Sequence, residues 1–290
     1  MYKDKENRKW YKVGLHIHTT ESDGSVTPEE AAEIYRAAGF DAIAITDHWK
    51  YHREDELSGL KIISGCEYNL GNADSISGVM HIVGVGMKKA PGIHRQYTRQ
   101  GVIDAINESG GVAILAHPAW SLNTIEDTKT LSGFTATEIY NTVSDVGQSS
   151  RPYSGYFVDV LANAGVIYKL VATDDTHYYN GTDETKSYIM VNAKNDTTEE
   201  ILSAIKNGNF YSSQGPELYV TVQSSKIIVN CSACVKIIFL SNATWVGDKI
   251  FRGENLTYAE YPIKDFEKWV RVEVVDDKGN YAWSNVISFD

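Results

Sequence analysis

The chain has 290 residues, and its 38 acidic side chains outnumber its 27 basic ones, for a formal net charge of −11. Such an acidic protein is not expected to bind nucleic-acid polymers broadly, because phosphate backbones attract basic surfaces. No apolar run reaches membrane length, and the polar start MYKDKENRKW does not resemble a signal peptide, so we expect no membrane association and a cytoplasmic location.

Up to about residue 214, the pattern alternates between strands and helices. The first helix is predicted from the capping box Thr27-Pro28-Glu29-Glu30 and ends at Gly39. Further helices are predicted at 95–109, in GYFVDVLANAG and in EEILSAIKNG, and the apolar runs between the helices are DAIAIT, KIISGC, HIVGVG, VAILA, TATEIY, VIYKLVAT and KSYIMVNA. This alternation predicts an α/β domain at 1–214 with a parallel sheet, either a barrel or a doubly wound sheet.

From residue 215 onward the pattern changes to short strands with turn signals such as Asp277-Lys278-Gly279-Asn280, without a long helix. This predicts a small all-β domain at 215–290, an antiparallel sandwich that packs against the first domain. Binding of a sugar or a partner is possible for such a domain, but no motif favours it. Cys231 and Cys234 form an isolated C-x-x-C, which we interpret as structural or incidental, and the three cysteines give no disulfide framework.

Six of the eight histidines lie in short polar segments that follow or begin apolar runs. His16 and His18 point to the same side of an extended chain and can bind one cation together. With three carboxylates in similar positions, the candidate metal ligands are His16, His18, Asp23, His48, Glu67, His81, His117, Asp175 and His177. Imidazole and carboxylate suit zinc, manganese or iron. Nine donors exceed the needs of one ion and predict two or three divalent metal ions that share a carboxylate. Donors after many different strands favour the barrel.

The stretches HIHTTESDG, TDH, GCE, AHP and the D-x-H at 175–177 resemble the PHP (polymerase and histidinol phosphatase) superfamily over about residues 11–214. The resemblance implies a distorted (β/α)7 TIM-like barrel, the PHP fold, with two or three metal ions at the C-terminal ends of its strands. The runs EIYNTVSDV, RPYSGYF and FYSSQGPEL are similar to a narrower branch that includes a carbaryl-hydrolase-like carbamate esterase.

The resemblance also implies how the donors divide among metal positions. The first position would be held by His16, His18 and Asp175 with Glu67 as a bridge, the second by Glu67, His81 and His117, and the third by Asp23, His48 and His177. Some members carry histidine where this chain has Asp23, and this harder oxygen donor favours manganese or magnesium there, or partial filling. The D-x-H register favours Asp175 over Asp174 as the ligand and leaves Asp174 as a residue that supports the ligands. Asp47 is expected to orient a ligand rather than to bind metal.

Several other residues are candidates for contact with the substrate. Arg151 follows the polar loop DVGQSS and is either a binding group for an anion or a surface arginine. His52 can touch the substrate or donate a proton to the leaving group, a role that metal-bound water can also fill. Asn141 lies at the end of its predicted strand, and its side chain is turned either toward the site or away from it. His94 is expected at the surface.

Three functions are compatible with this pattern. The first is a metal-dependent phosphoesterase that hydrolyses a small phosphorylated metabolite through a metal-bridging hydroxide, since no Ser-His-Asp arrangement or phosphate-binding glycine loop is present. The second is a metal-dependent carboxyl ester, carbamate or amide hydrolase. The third is a non-catalytic metal-dependent binding module, which the complete donor set disfavours. An acidic protein with a cationic metal site suits a small anionic substrate; the oligomeric state stays open.

Overall fold

The computed structural model describes residues 2–4, 8–72, 78–146 and 150–289. The helices in these ranges are α1 (Pro28–Ala37), α2 (Arg99–Glu108), α3 (Ile125–Lys129), α4 (Gly155–Asn163) and α5 (Thr198–Asn207). The strands up to residue 213 are β1 (Tyr2–Lys3), β2 (Lys9–Gly14), β3 (Ala42–Ala44), β4 (Asp55–Leu57), β5 (Leu60–Ile63), β6 (Gly65–Leu70), β7 (Met80–Val85), β8 (Val112–Leu115), β9 (Phe134–Asn141), β10 (Lys169–Thr173), β11 (Tyr188–Asn192) and β12 (Phe210–Ser213). The strands that follow are β13 (Leu218–Gln223), β14 (Lys226–Ser241), β15 (Ile250–Pro262), β16 (Trp269–Val275), β17 (Tyr281–Trp283) and β18 (Ile287–Ser288).

The helix ends follow local sequence signals. The Glu30 backbone N–H donates to Thr27 Oγ1 at 3.2 Å and the Thr27 N–H donates to Glu30 Oε2 at 2.8 Å, which confirms the predicted capping box of α1. The C-terminal end of α5 is at Gly208, whose φ of 72° suits glycine. Helix α3 was not predicted, because its five residues are too few to show helical periodicity. Within the described ranges, no helix is both long and apolar enough to cross a membrane.

The strands form two mixed sheets. In the first, β2, β3 and β5 are parallel, while β11 runs antiparallel to β2. In the second, β8, β9 and β10 are parallel, and β6 and β7 pair antiparallel at its other end. The nine residues between β6 and β7 are too few for the crossover that a parallel pair needs. The chain is therefore a mixed α/β protein with few helices, and only part of the predicted parallel pairing is present.

One hydrophobic core joins the two sheets. Its buried side chains come from strands of both sheets and from α5, and they include Val13, Ala44, Val83, Ile114, Val171, Ile189, Ile201 and Ile205. Each large aliphatic side chain contributes about 1.5–3 kcal/mol when fully buried. This core fixes the strands relative to one another, so the residues that follow the strands have defined positions.

The strands after residue 214 are antiparallel and continue the first sheet. The connection is made by β17, which pairs with β12 through Ser212–Trp283 and Ser213–Ala282. The predicted strands KIIVNCS and VKIIFLS are one long strand, β14, because irregularities in its pairing let the strand bend without ending. A domain boundary near residue 214 and a small antiparallel sandwich remain predictions.

A buried arginine links these C-terminal strands to the α/β part. Arg271, on β16, is 1 % exposed, and its Nε and Nη2 donate to Asp159 of α4 at 2.6 and 3.0 Å. It also donates to Glu273 and, from Nη2, to the Tyr153 hydroxyl at 3.3 Å. The guanidinium is thus paired on both sides, and it anchors α4 to β16.

Candidate metal centre

The structure brings all nine predicted metal ligands together. They follow or lie on strands that meet at one side of the molecule, for example His16 and His18 after β2, Glu67 on β6 and Asp175 after β10. Isolated bridges, Ile17–Thr176 and His48–Glu67, continue the pairing beyond the strand ends. Three groups of ligand atoms result, each within 4.8 Å: His16, His18, Glu67 and Asp175; Glu67, His81 and His117; His18, Asp23, His48 and His177.

The first group has the geometry of a metal site. His16 Nε2 lies 3.2 Å from His18 Nε2, and each nitrogen lies 3.1 Å from Asp175 Oδ1. Glu67 Oε2 lies 3.3 Å from His16 Nε2 and 3.1 Å from His18 Nε2. Donor atoms held tetrahedrally about 2.0–2.1 Å from one ion lie about 3.3–3.4 Å from each other. The five distances above are therefore close to those expected between the donor atoms of one zinc-sized cation.

The Glu67 carboxylate connects the groups. Its Oε2 faces the first group, whereas Oε1 lies 2.9 Å from His81 Nδ1 and 3.4 Å from His117 Nε2. Oε2 also lies 3.0 Å from His48 Nδ1. The two oxygens of this carboxylate thus face different sets of donors. A ligand that bridges two ions in a polynuclear site has this arrangement.

The third group is more open. Asp23, with its side chain 54 % exposed, lies 3.5 Å from His177 Nε2 and 3.8 Å from His48 Nε2. His18 Nδ1 lies 3.5 Å from the same carboxylate, so His18 touches two groups, which the resemblance did not indicate. The longer distances and the exposure fit a weaker site.

The electrostatics of the cluster call for cations. Burial lowers the pKa of His16, but the charges of Asp175, Glu67 and Glu138 outweigh it and raise the pKa well above the ordinary value. Burial also lowers the pKa of His18, and hydrogen bonds to Asp175 and Glu67 override it and raise the pKa to about 9. Asp175 Oδ1 and His48 Nδ1 are nevertheless buried atoms to which the described residues offer no well-oriented hydrogen bond, although Asp175 Oδ1 lies 3.1 Å from His18 Nε2 and His48 Nδ1 lies 3.0 Å from Glu67 Oε2. A buried polar atom without a hydrogen bond costs free energy. We therefore interpret both atoms as metal ligands, whose missing contact a bound ion would supply.

Two of these ligands have an unusual backbone conformation. His117 has φ 27° and Asp175 has φ 53°. Aspartate and histidine both enter the left-handed region more readily than most residues, but the φ of His117 lies outside its usual range of about 50–70°, so the backbone there is strained. Strained backbone concentrates at functional sites.

Glu138 is an important residue that the sequence analysis missed. This 1 % exposed carboxylate on β9 accepts four hydrogen bonds: from His16 Nδ1 at 2.7 Å, the His117 N–H at 2.8 Å, Asn141 Nδ2 at 2.8 Å and Thr173 Oγ1 at 2.7 Å. A carboxylate on Nδ1 turns Nε2 of the same imidazole toward a metal. The signal was present in the sequence, since TATEIY places a charge inside a strand that is otherwise apolar or uncharged.

Three predictions about neighbours of the ligands can be compared with the structure. Asn141 does point inward, where its Nδ2 also donates to Asp175 Oδ2 at 3.1 Å. Asp174 belongs to none of the three ligand groups, and it accepts from the Tyr35 hydroxyl at 2.7 Å and the Ser187 N–H at 2.7 Å. Burial raises its pKa to about 7.

Asp47 holds the loop that carries Asp23. Its carboxylate accepts from the Thr19 N–H at 2.7 Å, from Thr19 Oγ1 at 2.6 Å and from Ser22 Oγ at 2.6 Å. Burial raises the pKa of Asp47, but hydrogen bonds from His52, Ser22 and Thr19 outweigh burial and lower it. The carboxylate is thus charged and orients the loop.

A cavity of about 190 Å³ opens onto the cluster. Besides metal ligands, its described lining consists of Trp120, Val143 and Ser144. The Trp120 ring lies 4.9 Å from the His117 ring and 5.8 Å from the His81 ring, between centroids, and thus forms an apolar wall beside the second group. Sequence analysis did not single out Trp120, because an aromatic residue after A-H-P carries no distinguishing pattern.

The predicted substrate-contacting residues His52 and Arg151 are not part of the described lining of the cavity. His52 Nε2 is 2.7 Å from Asp47 Oδ2. Arg151 is exposed, and its backbone N–H donates to the Ser144 carbonyl at 3.2 Å. Residues 147–149 of the loop before Arg151 are outside the described ranges. His94 is exposed, as expected, and its ring packs 4.6 Å from the Tyr97 ring.

Comparison with known proteins identifies the family. Residues 14–213 match the PHP domain. The chain belongs to the PHP domain family. Among curated proteins, none matches this PHP chain significantly.

Solved structures are similar to this PHP protein at low sequence identity, and the first one named here shares its fold. A two-domain protein of Bacteroides vulgatus, described as containing a predicted PHP-like metal-dependent phosphoesterase, is 14 % identical with a TM-score of 0.56, over 99 % of this chain and 98 % of that one. The lesion-specific endonuclease EndoQ of Pyrococcus furiosus is 15 % identical with a TM-score of 0.49, over 69 % of this chain and 56 % of that one. An amidohydrolase of Chromobacterium violaceum is 16 % identical with a TM-score of 0.41, over 59 % of this chain and 89 % of that one.

Proposed function

We propose that this protein is a metal-dependent phosphoesterase that hydrolyses a small phosphorylated metabolite. The observation that carries the proposal is the complete donor set, in which Glu67 faces two groups of ligands at the base of a small cavity. We also propose that the two sheets form the distorted (β/α)7 barrel of the PHP fold, supported by their common core and by the ligands gathered where the strands end.

Two or three divalent metal ions, zinc, manganese or iron, would fill the donor groups. When bound, they polarise the phosphoryl group and make a water molecule nucleophilic at neutral pH. The protein's own part is to hold the ligands in place. Glu138 retains the proton on His16 Nδ1, so that Nε2 presents its lone pair to the cluster. Asn141 fixes one oxygen of Asp175 by a hydrogen bond and leaves Oδ1 for the ion.

The cavity also limits the substrate. A volume of about 190 Å³ accommodates a phosphoryl group with a small substituent rather than a folded polymer. The described lining contains no lysine or arginine, so the metal ions would neutralise most of the substrate's charge. We assign to Arg151 a supporting role at the rim, where its segment is attached to Ser144, and to His52 a role as donor of a proton to the leaving group.

A second candidate, hydrolysis of a carboxyl ester, carbamate or amide, is favoured by one observation. Trp120 and Val143 give the cavity an apolar wall, which an uncharged ester uses better than a phosphate does. The same ions and ligands would serve either reaction, and the cavity wall would select the substrate. The complete ligand set disfavours a purely non-catalytic binding module.

The decisive experiment is a turnover screen with metal-stripped protein that is reloaded with manganese, zinc or iron. The substrates are aryl phosphomonoesters and phosphodiesters in one set, and aryl esters and carbamates in the other. The His16→Ala protein serves as the blank and the surface variant His94→Ala as the matched control. We expect metal-dependent release of phosphate that is lost in His16→Ala and kept in His94→Ala. Cleavage of the carboxyl esters alone would replace the first candidate with the second.

A further inference from the structure

Two cysteines in the C-terminal strands lie in direct contact. Cys231 Sγ and Cys234 Sγ are 3.7 Å apart, although both residues belong to the single strand β14. In a regular strand, residues three apart point to opposite faces and their Cα atoms are separated by about 10 Å. The contact therefore requires a local departure from strand geometry.

A bulge in β14 provides this departure. Asn230 pairs with Tyr258 and Cys234 pairs with Leu256, so β14 advances four residues while β15 advances two. The two extra residues of β14 interrupt the alternation of side chains along the strand, which lets the two sulfurs come into contact. The fold thus holds the two thiols together before any bond forms between them. The third cysteine, Cys66, packs in a different core cluster.

The bulge is accessible from one side. Cys234 is 2 % exposed, but Cys231 is only partly buried. A cavity of about 390 Å³ borders the bulge and is lined by Ala233, Cys234, Val235, Glu254, Asn255 and Asp277. Cys231 is the more exposed of the two thiols, so a small thiol reagent meets it first from solvent. Cys234, which borders this cavity, is then the second thiol to react.

The surroundings favour a disulfide over a metal site. No described histidine, carboxylate or third cysteine joins Cys231 and Cys234 in a ligand group. Two thiols alone leave a zinc ion without half of its usual ligands. Burial raises the pKa of both thiols, which disfavours thiolates, whereas a disulfide is uncharged and suits the apolar environment.

We propose that Cys231 and Cys234 form a reversible intramolecular disulfide when the protein meets a small disulfide such as oxidised glutathione. The small fraction of Cys231 that is present as thiolate attacks one sulfur of glutathione disulfide, which forms a mixed disulfide and releases one glutathione. Cys234 Sγ then attacks Cys231 Sγ, which closes the 231–234 bond and releases the second glutathione. The two thiol protons end on the two glutathiones, so two protein thiols are oxidised and one glutathione disulfide is reduced.

The test uses the full chain and does not depend on its enzymatic activity. The native protein is incubated with excess oxidised glutathione, quenched in acid and alkylated, and its peptides are analysed by mass spectrometry. We expect the free thiols to fall from three to one per molecule, with a 231–234 link, unmodified Cys66 and full reversal by dithiothreitol. Cys231→Ser should lose the link, and Cys66→Ser should keep it.

Several results would overturn the proposal. These are three thiols that stay free, a glutathione adduct that persists on Cys231 in the wild-type protein, or disulfide-linked dimers in place of the internal bond. Protection of both thiols from alkylation by one equivalent of zinc would show a metal site instead. Wild-type protein alone gives each of these readings, so the test still discriminates if a variant fails to fold.

Discussion

Replacing Glu138 with glutamine tests how the ligands are held. The substitution keeps the size of the side chain but turns one acceptor oxygen into an amide that only donates. Four donors converge on the two carboxylate oxygens, so two of them lose their acceptor. Each buried donor left unpaired costs about 1–3 kcal/mol, and the free energy of unfolding should fall by about 2–6 kcal/mol in total.

The same substitution should weaken metal binding. If the amide donates to His16 Nδ1, the imidazole proton moves to Nε2, the atom that faces the other ligands. Loss of a group that orients a metal ligand typically lowers affinity 10–100-fold, or about 1.4–2.8 kcal/mol.

The assay is competition for metal against a chromogenic chelator, together with thermal unfolding with and without metal. The matched control is Glu126→Gln on α3, whose side chain is 77 % exposed and which should behave as wild type. Wild-type metal affinity in a folded Glu138→Gln protein would refute the reasoning.

Three further predictions follow from the described contacts. Arg271→Met should lower the free energy of unfolding by about 3–5 kcal/mol in chemical denaturation, because two carboxylates lose their buried cation. Adding Asp159→Asn to this variant should recover part of the loss. Equal losses in the single and the double variant would argue against the pairing. In metal-free protein, the stability that His18 contributes is complete below about pH 6.5 and is lost as the pH rises to about 9, because folding raises the pKa of His18. The melting temperature should therefore fall over that pH window. A melting temperature that stays constant there would contradict the raised pKa. Trp120→Ala should leave the metal content unchanged and raise KM for aryl substrates several-fold, and loss of metal instead would show that the indole supports the ligands.

Short-range signals accounted for much of what the sequence predicted. The start of α1 at Thr27 and the end of α5 at Gly208 depend on neighbours within one helical turn. The clustering of most candidate ligands was predictable because residues that follow parallel strands meet at one edge. His16 and Asp175 could therefore be placed in one cluster without knowledge of the structure. Glu67 and His81 lie instead on the antiparallel pair β6 and β7, so this rule does not account for them.

Interactions between distant segments could not be predicted. Glu138 is 122 positions from His16, and only the pairing of strands brings the two together. The pairing of Arg271 with Asp159 likewise depends on how the C-terminal strands pack on α4. The bulge in β14 was missed because the sequence between Asn230 and Lys236 carries the same signal as a break between two strands.

The measurement that tests the central claim most directly is the metal content of the purified protein alongside metal-dependent phosphate release. The account predicts at least two divalent ions per chain in the wild type, phosphate release that requires them, and loss of both in His16→Ala and Asp175→Ala. A wild-type protein that binds no more than one ion, or that hydrolyses phosphoesters equally well after its metals are removed, would contradict the account.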